Sequence, residues 1–151
     1  MITFDDTLWP LLYVKFVGAN TDAEFDVYLQ TLTGYLQRKE KYITLLDASQ
    51  ATASPPVEQR QKQVDWLHQH EAVIREYQVG TAYVITSPLI RLAMNVIYLL
   101  KPPPSPYTVV SELNAAYAWS ADRFRAVGML LPSVLIRSHF GFGNGKTGTG
   151  G

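Results

Sequence analysis

Cysteine is absent from the 151 residues. That removes thiolate metal sites, cysteine nucleophiles and a disulfide framework. A chain of this length buries roughly two-thirds of the surface it exposes when unfolded, so it needs neither disulfides nor a structural metal. An excess of charge is also absent. Thirteen basic residues face thirteen acidic ones, the net charge is zero and the pI is 6.8, which leaves no footprint for nucleic acid or an anionic membrane. Nor is there a long hydrophobic run. The most apolar stretch, Leu89 to Leu100, is too short to cross a bilayer and contains Arg91 and Asn95, so it reads as a buried helix. A signal peptide needs a basic start and an apolar run, whereas this chain opens Met1-Ile2-Thr3-Phe4-Asp5-Asp6; a cytoplasmic location is the expectation. There is no internal repeat. What remains is 47% hydrophobic and 17% charged, the composition of one globular domain.

Periodicity then orders the elements. Ile2 to Phe4 and Leu11 to Val17 read as strands close enough to pair as a hairpin, the second alternating Leu12, Val14, Phe16 against Tyr13, Lys15, Val17. Thr21-Asp22-Ala23-Glu24 has capping-box spacing, and Phe25, Tyr28, Leu29, Leu32 and Leu36 recur at helical intervals up to Arg38 and Lys39. Tyr42 to Leu46 is β-rich and ends at Asp47, followed by a polar loop from Ala48 to Ser54 and a helix from about Pro55 to Tyr77 with Val57, Val64, Leu67 and Ile74 on one stripe. Thr81 to Ile85 is the next strand. Ser87-Pro88 starts the apolar helix, Pro102 to Pro104 stop it, and Tyr107 to Val110 is the last strand before a helix capped by Ser111 and ended by Gly128.

The order β-β-α-β-α-β-α-β-α implies an α/β fold: a single mixed sheet, opening with a hairpin and continuing through right-handed crossovers, packed with four helices. Residues 1–128 make the domain, 129–140 an apolar C-terminal extension, and 141–151 a Gly-rich tail whose composition predicts disorder. In such sheets the functional surface lies beyond the carboxyl ends of parallel strands, here the loops Asp47 to Ser54 and Thr86 to Ser87. Several residues carry a family likeness: Trp9-Pro10 ahead of a strand, Phe16-Val17-Gly18 before the first helix, Leu45-Leu46-Asp47, Gln59-Arg60 and Trp66 on the next helix, and Trp119 on the last. With the element order, they make residues 1–128 resemble the STAS domain family of anti-sigma-factor antagonists, stand-alone bacterial regulators and cytoplasmic domains of sulfate transporters. The resemblance implies a protein-binding regulator in which a partner kinase phosphorylates a Ser or Thr within an Asp-Ser-Ser-Gly type of motif. This chain departs from that motif. After Asp47 it reads Ala48-Ser49-Gln50-Ala51-Thr52-Ala53-Ser54-Pro55-Pro56, without a Ser-Gly pair, so Ser49, Thr52 and Ser54 match only by region.

Each chemical candidate has a plainer counterpart. Ser54 before Pro55 is either a helix N-cap or a phosphoacceptor whose added charge would face the helix dipole. Asp47 has no second acid or histidine beside it, so hydrogen bonding to loop amides is expected rather than catalysis. His68 and His70 diverge by about 200° on a helix and do not share a metal; no metal or cofactor is expected. The run Gly141-Phe142-Gly143-Asn144-Gly145-Lys146-Thr147 is no P-loop, because Phe140 stands where the first glycine belongs and Gly148 to Gly151 cannot continue as a helix. In the extension, Leu131, Val134, Leu135, Ile136 and Phe140 either cover the chain's own sheet or dock on a partner or second copy. The expected function is a non-enzymatic regulatory interaction with a protein partner of regulator or kinase class, or with a second copy. Its surface would join Asp47, Gln59 and Arg60 to Ser87, Arg91 and Asn95. The alternatives are a carrier of a small apolar or acyl ligand, with a cavity under Leu89 to Leu100, and a hydrolase.

Overall fold

The computed structural model describes residues 1–141. Five strands form one mixed sheet in the order β1 (Ile2–Asp5), β2 (Leu11–Gly18), β3 (Tyr42–Ala51), β4 (Gln78–Val84), β5 (Tyr107–Val110). The β1–β2 pair is antiparallel and the other three pairs are parallel. The helices are α1 (Asp22–Leu36), α2 (Val57–Tyr77), α3 (Pro88–Leu100), α4 (Leu113–Ala126) and α5 (Leu130–Phe140). The hairpin and the alternation are as expected; the helices number five among the described residues, not four. The expected disorder of 141–151 lies outside those residues except for Gly141, which ends α5 at φ 77°.

Because the strands are added in sequence order by right-handed crossovers, α1, α2 and α3 are all thrown onto the same face. The period of two in the strands then divides the core. Leu12, Val14 and Tyr42 pack under α1 and α2 with Tyr28, Leu32, Leu67 and Ile74. Leu11, Ile43, Leu45, Ala82 and Val84 point to the other face, where they meet Tyr117, Ala121 and Phe124 of α4 and Ile136 of α5. That second face has no crossover helix, so the chain after β5 must supply its cover. Of the extension's residues, Ile136 is buried and Phe140 stacks on Tyr117 at 3.6 Å. Leu131, Val134 and Leu135 remain exposed.

Local signals behave as the sequence implies at α1. Glu24 N–H donates to Thr21 Oγ1 at 3.1 Å and Thr21 N–H donates to Glu24 Oε1 at 2.9 Å. Ser87 likewise caps α3 by accepting from Ile90 N–H. Four expectations are corrected. The strand expected to end at Asp47 runs on to Ala51, because β2 itself runs to Gly18 and, past a bulge, Val17 and Gly18 pair with Gln50 and Ala51 rather than leave their backbone groups unpaired. Ser54 is not an N-cap: Pro56 holds the cap position of α2, and the Ser54 hydroxyl instead donates to the Leu89 carbonyl at 3.3 Å. The cap of α4 is Glu112, one residue after Ser111. Finally, α3 is not a buried helix. Only Ile90 and Ala93 are buried, while Leu89 and Leu99 are 70% and 85% exposed.

Gly80 is where α4 comes closest to β4. A Cβ there would lie 2.8 Å from Trp119 Cη2 and 3.1 Å from Arg123 Cγ, and Arg123 is held by its Nε–H donating to the Val79 carbonyl at 2.7 Å. An Ala for Gly exchange ordinarily stabilises by about 0.4–1 kcal/mol through the unfolded chain. Overpacking costs about 1–3 kcal/mol and dominates at this contact. Gly80→Ala is therefore expected to lower the urea-unfolding free energy by about 1–2 kcal/mol; a gain would show that the Trp119 ring moves aside freely.

Candidate functional site

The two faces carry different groups. On the α4 side, Asp47 is 4% exposed. Tyr13 Oη donates to its Oδ2 at 2.5 Å, and the Ser49 hydroxyl and amide donate to its Oδ1 at 2.6 and 3.0 Å. Burial works to raise the Asp47 carboxyl, but the Ser49 hydroxyl, Tyr13, the Ser49 amide and the Lys15 charge together hold it below its ordinary 3.8. Burial, and then the nearby Asp47, push Tyr117 up to about 12, and burial with the bond to Asp47 also raises Tyr13. Both carboxylate oxygens are occupied, so Asp47 is a fixed anion that fastens the bulged end of β3. Its lowered pKa and its three hydrogen-bond donors make it a poor general base near neutrality. It also projects away from α2 and α3, which separates it from the surface predicted for a partner.

Gln59 departs from that surface too. It is 3% exposed, and its amide donates to the Asn20 carbonyl at 3.1 Å and to Asp22 Oδ1 at 3.0 Å, tying the start of α2 to the start of α1. The other four residues do share one side of the molecule. Arg60 is half-buried and donates to the Pro55 carbonyl at 2.7 Å. Ser87 opens α3, and Arg91 and Asn95 are exposed along it. The Ser54–Leu89 hydrogen bond joins the β3–α2 loop to the start of α3.

Beneath α3 lies a cleft of about 320 Å³, mostly apolar, bounded by the sheet, α1, α2 and the β3–α2 loop. Phe16, Leu46, Ile90, Met94 and Ile97 supply aliphatic and aromatic walls, and Ala48 and Ala51 at the end of β3, with Ala53 beyond it, leave that side open. Its polar groups are few: the guanidinium of Arg60, the phenols of Tyr28, Tyr83 and Tyr98, and Asn20, Gln59, Gln63 and Ser54. The Tyr98 hydroxyl is buried and has no hydrogen-bond partner of acceptable geometry. Burial, and then the adjoining Tyr83 phenol, raise Tyr98, and burial pushes Tyr83 up to about 12, so both are neutral. The inner stripe of α3, residues 90, 93, 94, 97 and 98, follows helical spacing, but a run apolar nearly all round does not single it out in the sequence. The three phenols come from α1, β4 and α3, so no local spacing announces them.

No protein-family model matches this chain and no curated protein matches it. Among solved structures, it is similar to an uncharacterized protein of the DUF3478 family with a SpoIIAA-like fold from Shewanella loihica PV-4. The TM-score is 0.58 and the identity 15%, over 80% of this chain and 92% of that one. This chain has a SpoIIAA-like, STAS-type fold. At that identity the likeness extends to the fold alone, so the SpoIIAA-like scaffold positions the loop, α2 and α3 without assigning them a task. Among the described residues no cluster of three or more His, Cys, Asp or Glu is placed to hold a metal: His68 is exposed, and His70 Nδ1 lies 3.0 Å from the Trp66 carbonyl. No described helix is long and apolar enough to cross a membrane.

The Asp47 network yields a pH dependence. A carboxyl held below its unfolded value contributes stability that is complete above about pH 4 and is lost as pH falls through the lower folded value. Asp47→Asn should lower stability at pH 7 by about 1.5–3 kcal/mol, the scale of hydrogen bonds to a charged group. The difference between the two proteins should shrink below pH 4. Parallel denaturation curves at pH 7 and pH 3 check this; a difference independent of pH would mean the charge itself contributes nothing.

Proposed function

We propose that the chain is a regulatory binding domain of STAS type, engaging a protein partner and performing no reaction of its own. The observation that carries this reading is the apolar outer face of α3. Leu89, Leu92, Val96 and Leu99 stand in solvent beside Arg91 and Asn95, and Ser54 of the β3–α2 loop is hydrogen-bonded to the Leu89 carbonyl at the start of this helix. A monomer gains nothing by exposing such a stripe, and a partner that buries it gains roughly 25 cal/mol per Å² of apolar area. The partner that fits is apolar at the centre with an acid opposite Arg91. A non-catalytic role is in keeping with Asp47, whose oxygens are both committed.

Phosphorylation, in this reading, falls on Thr52. Ser49 already donates to Asp47, so a phosphate there would meet a carboxylate, and Ser54 is half-buried against Leu89. Thr52 is exposed at the end of β3. A second role, binding a small apolar molecule, is favoured by the cleft beneath the same helix.

The partner reading is tested by quantitative pull-down followed by titration with the recovered partner as a purified protein. Leu92→Glu is expected to weaken binding about tenfold or more, the scale of a buried anchor residue. Val134→Glu, on the exposed side of α5, should leave it unchanged. Equal affinity for both variants would remove α3 from the interface.

A further inference from the structure

The cleft is mostly apolar, and two of its polar groups, set toward opposite ends of α3, say more about an occupant than its volume does. Its inner wall follows α3 from Ile90 to Tyr98, roughly 12 Å at 1.5 Å per residue. At the loop end stands Arg60. Its guanidinium donates to the Pro55 carbonyl and takes part in no ion pair among the described residues. A guanidinium carries five N–H donors in a fork that suits a carboxylate, so most of this one's capacity is unspent, at the rim of an apolar cavity where few other charges compete.

At the other end is the Tyr98 hydroxyl, buried beside the Tyr83 phenol but in no hydrogen bond of good geometry, with Tyr83 or any other group. Its ring is fixed edge-on against Tyr83 at 5.8 Å and Tyr107 at 5.1 Å, so it cannot swing into water without breaking that packing. A buried donor without a well-aligned acceptor carries a penalty, and a ligand oxygen placed in line with it relieves that. Between the two points the walls are Phe16, Leu46, Met94 and Ile97, which offer an apolar chain dispersion contacts and shelter from water. The flexible Met94 side chain also adapts to a flexible occupant.

From this juxtaposition we infer that the cleft is the site of an elongated amphiphilic monocarboxylate, its acid group paired with Arg60 at the mouth and an oxygen at its far end accepting from Tyr98. The inference rests on the small-molecule role of the cleft and adds to it the ligand's charge, polarity and orientation. A neutral hydrocarbon would leave both Arg60 and Tyr98 unanswered. A dianion or a phosphate would bring more charge than one half-buried guanidinium offsets.

The experiment uses the full chain and displacement of the neutral fluorophore N-phenyl-1-naphthylamine by three probes: decanol, decanoate and ω-hydroxydecanoate. In the unaltered protein decanoate should bind roughly tenfold or more tightly than decanol, the scale of a charge-assisted hydrogen-bonded pair. ω-Hydroxydecanoate should bind several-fold more tightly than decanoate. In Arg60→Gln the acid-over-alcohol preference should fall to near unity, and Arg60→Lys should restore part of it. In Tyr98→Phe the advantage of the ω-hydroxyl should disappear while the acid preference persists. Equal binding of decanol and decanoate to the unaltered protein overturns the inference yet leaves the cleft a small-molecule site. Failure of the fluorophore and of all three probes to bind overturns both. An ω-hydroxyl preference that survives in Tyr98→Phe overturns the proposed orientation.

Discussion

Edge-to-face contact among Tyr83 of β4, Tyr98 of α3 and Tyr107 of β5, with ring centroids 5.1 to 6.4 Å apart, sets the height of α3 above the sheet. Rings that meet by their edges prefer this separation to closer approach. At this end α3 is also pinned to α2 by the Lys101–Glu71 ion pair at 2.5 Å. At its other end the helix is held by buried Ile90 and the Ser54–Leu89 bond, opposite Ala48 and Ala51 of β3 and Ala53 of the following loop, which are too small to fill the space. A helix propped by tyrosines at one end and facing alanines at the other leaves a gap beneath it. The cleft follows from that geometry, and so does the exposure of the helix's outer side, because α2 and the sheet already occupy every direction in which it might have been covered.

The opposite face is governed by a simpler constraint. Sequential strand order with right-handed crossovers commits three helices to one side, so the other side depends on chain that follows β5. This is why α5 packs at all. Ile136 closes the core with Phe124, and Phe140 lies flat on Tyr117, which in turn lies near Tyr13 and the Asp47 network. The Asp47 carboxylate is thus a structural anion under a cover of aromatic rings. Its position at the bulge of β3 lets it satisfy the Ser49 amide that the irregular register leaves free of the ladder.

What was legible in the sequence was what local chemistry decides. The capping box at Thr21 and Glu24, the Ser87-Pro88 start of α3, the alternation along β2 and the proline stop after Leu100 each act within a few residues, and each stands where the pattern puts it. The errors share a cause, because they turn on partners distant in sequence. Asp47 looked like a strand end because polar residues follow it; pairing with Val17 and Gly18 carries the strand onward. Ser54 looked like a cap because it precedes Pro55, yet its hydroxyl is drawn to Leu89, 35 residues away. Gln59 looked available to a partner, yet Asn20 and Asp22 claim its amide. A run as apolar as Leu89 to Leu100 suggested burial on all sides, and composition has no means of showing that the sheet supplies only one.

The two faces of α3 also separate the roles proposed for it. On a helix, residues three and four apart share a side, so 90, 93, 94, 97 and 98 line the cleft while 89, 92, 96 and 99 stand outside. A protein partner acts on the second set and a small ligand on the first, with no side chain common to both. Burying apolar surface favours each event independently, and neither requires the other face to be empty. The helix backbone joins them. A ligand that filled the space left by the tyrosine prop would replace a void with contacts along the whole inner stripe. It would thereby stiffen the element whose outer stripe a partner must grip, and a partner that has no helix to order binds at lower entropic cost.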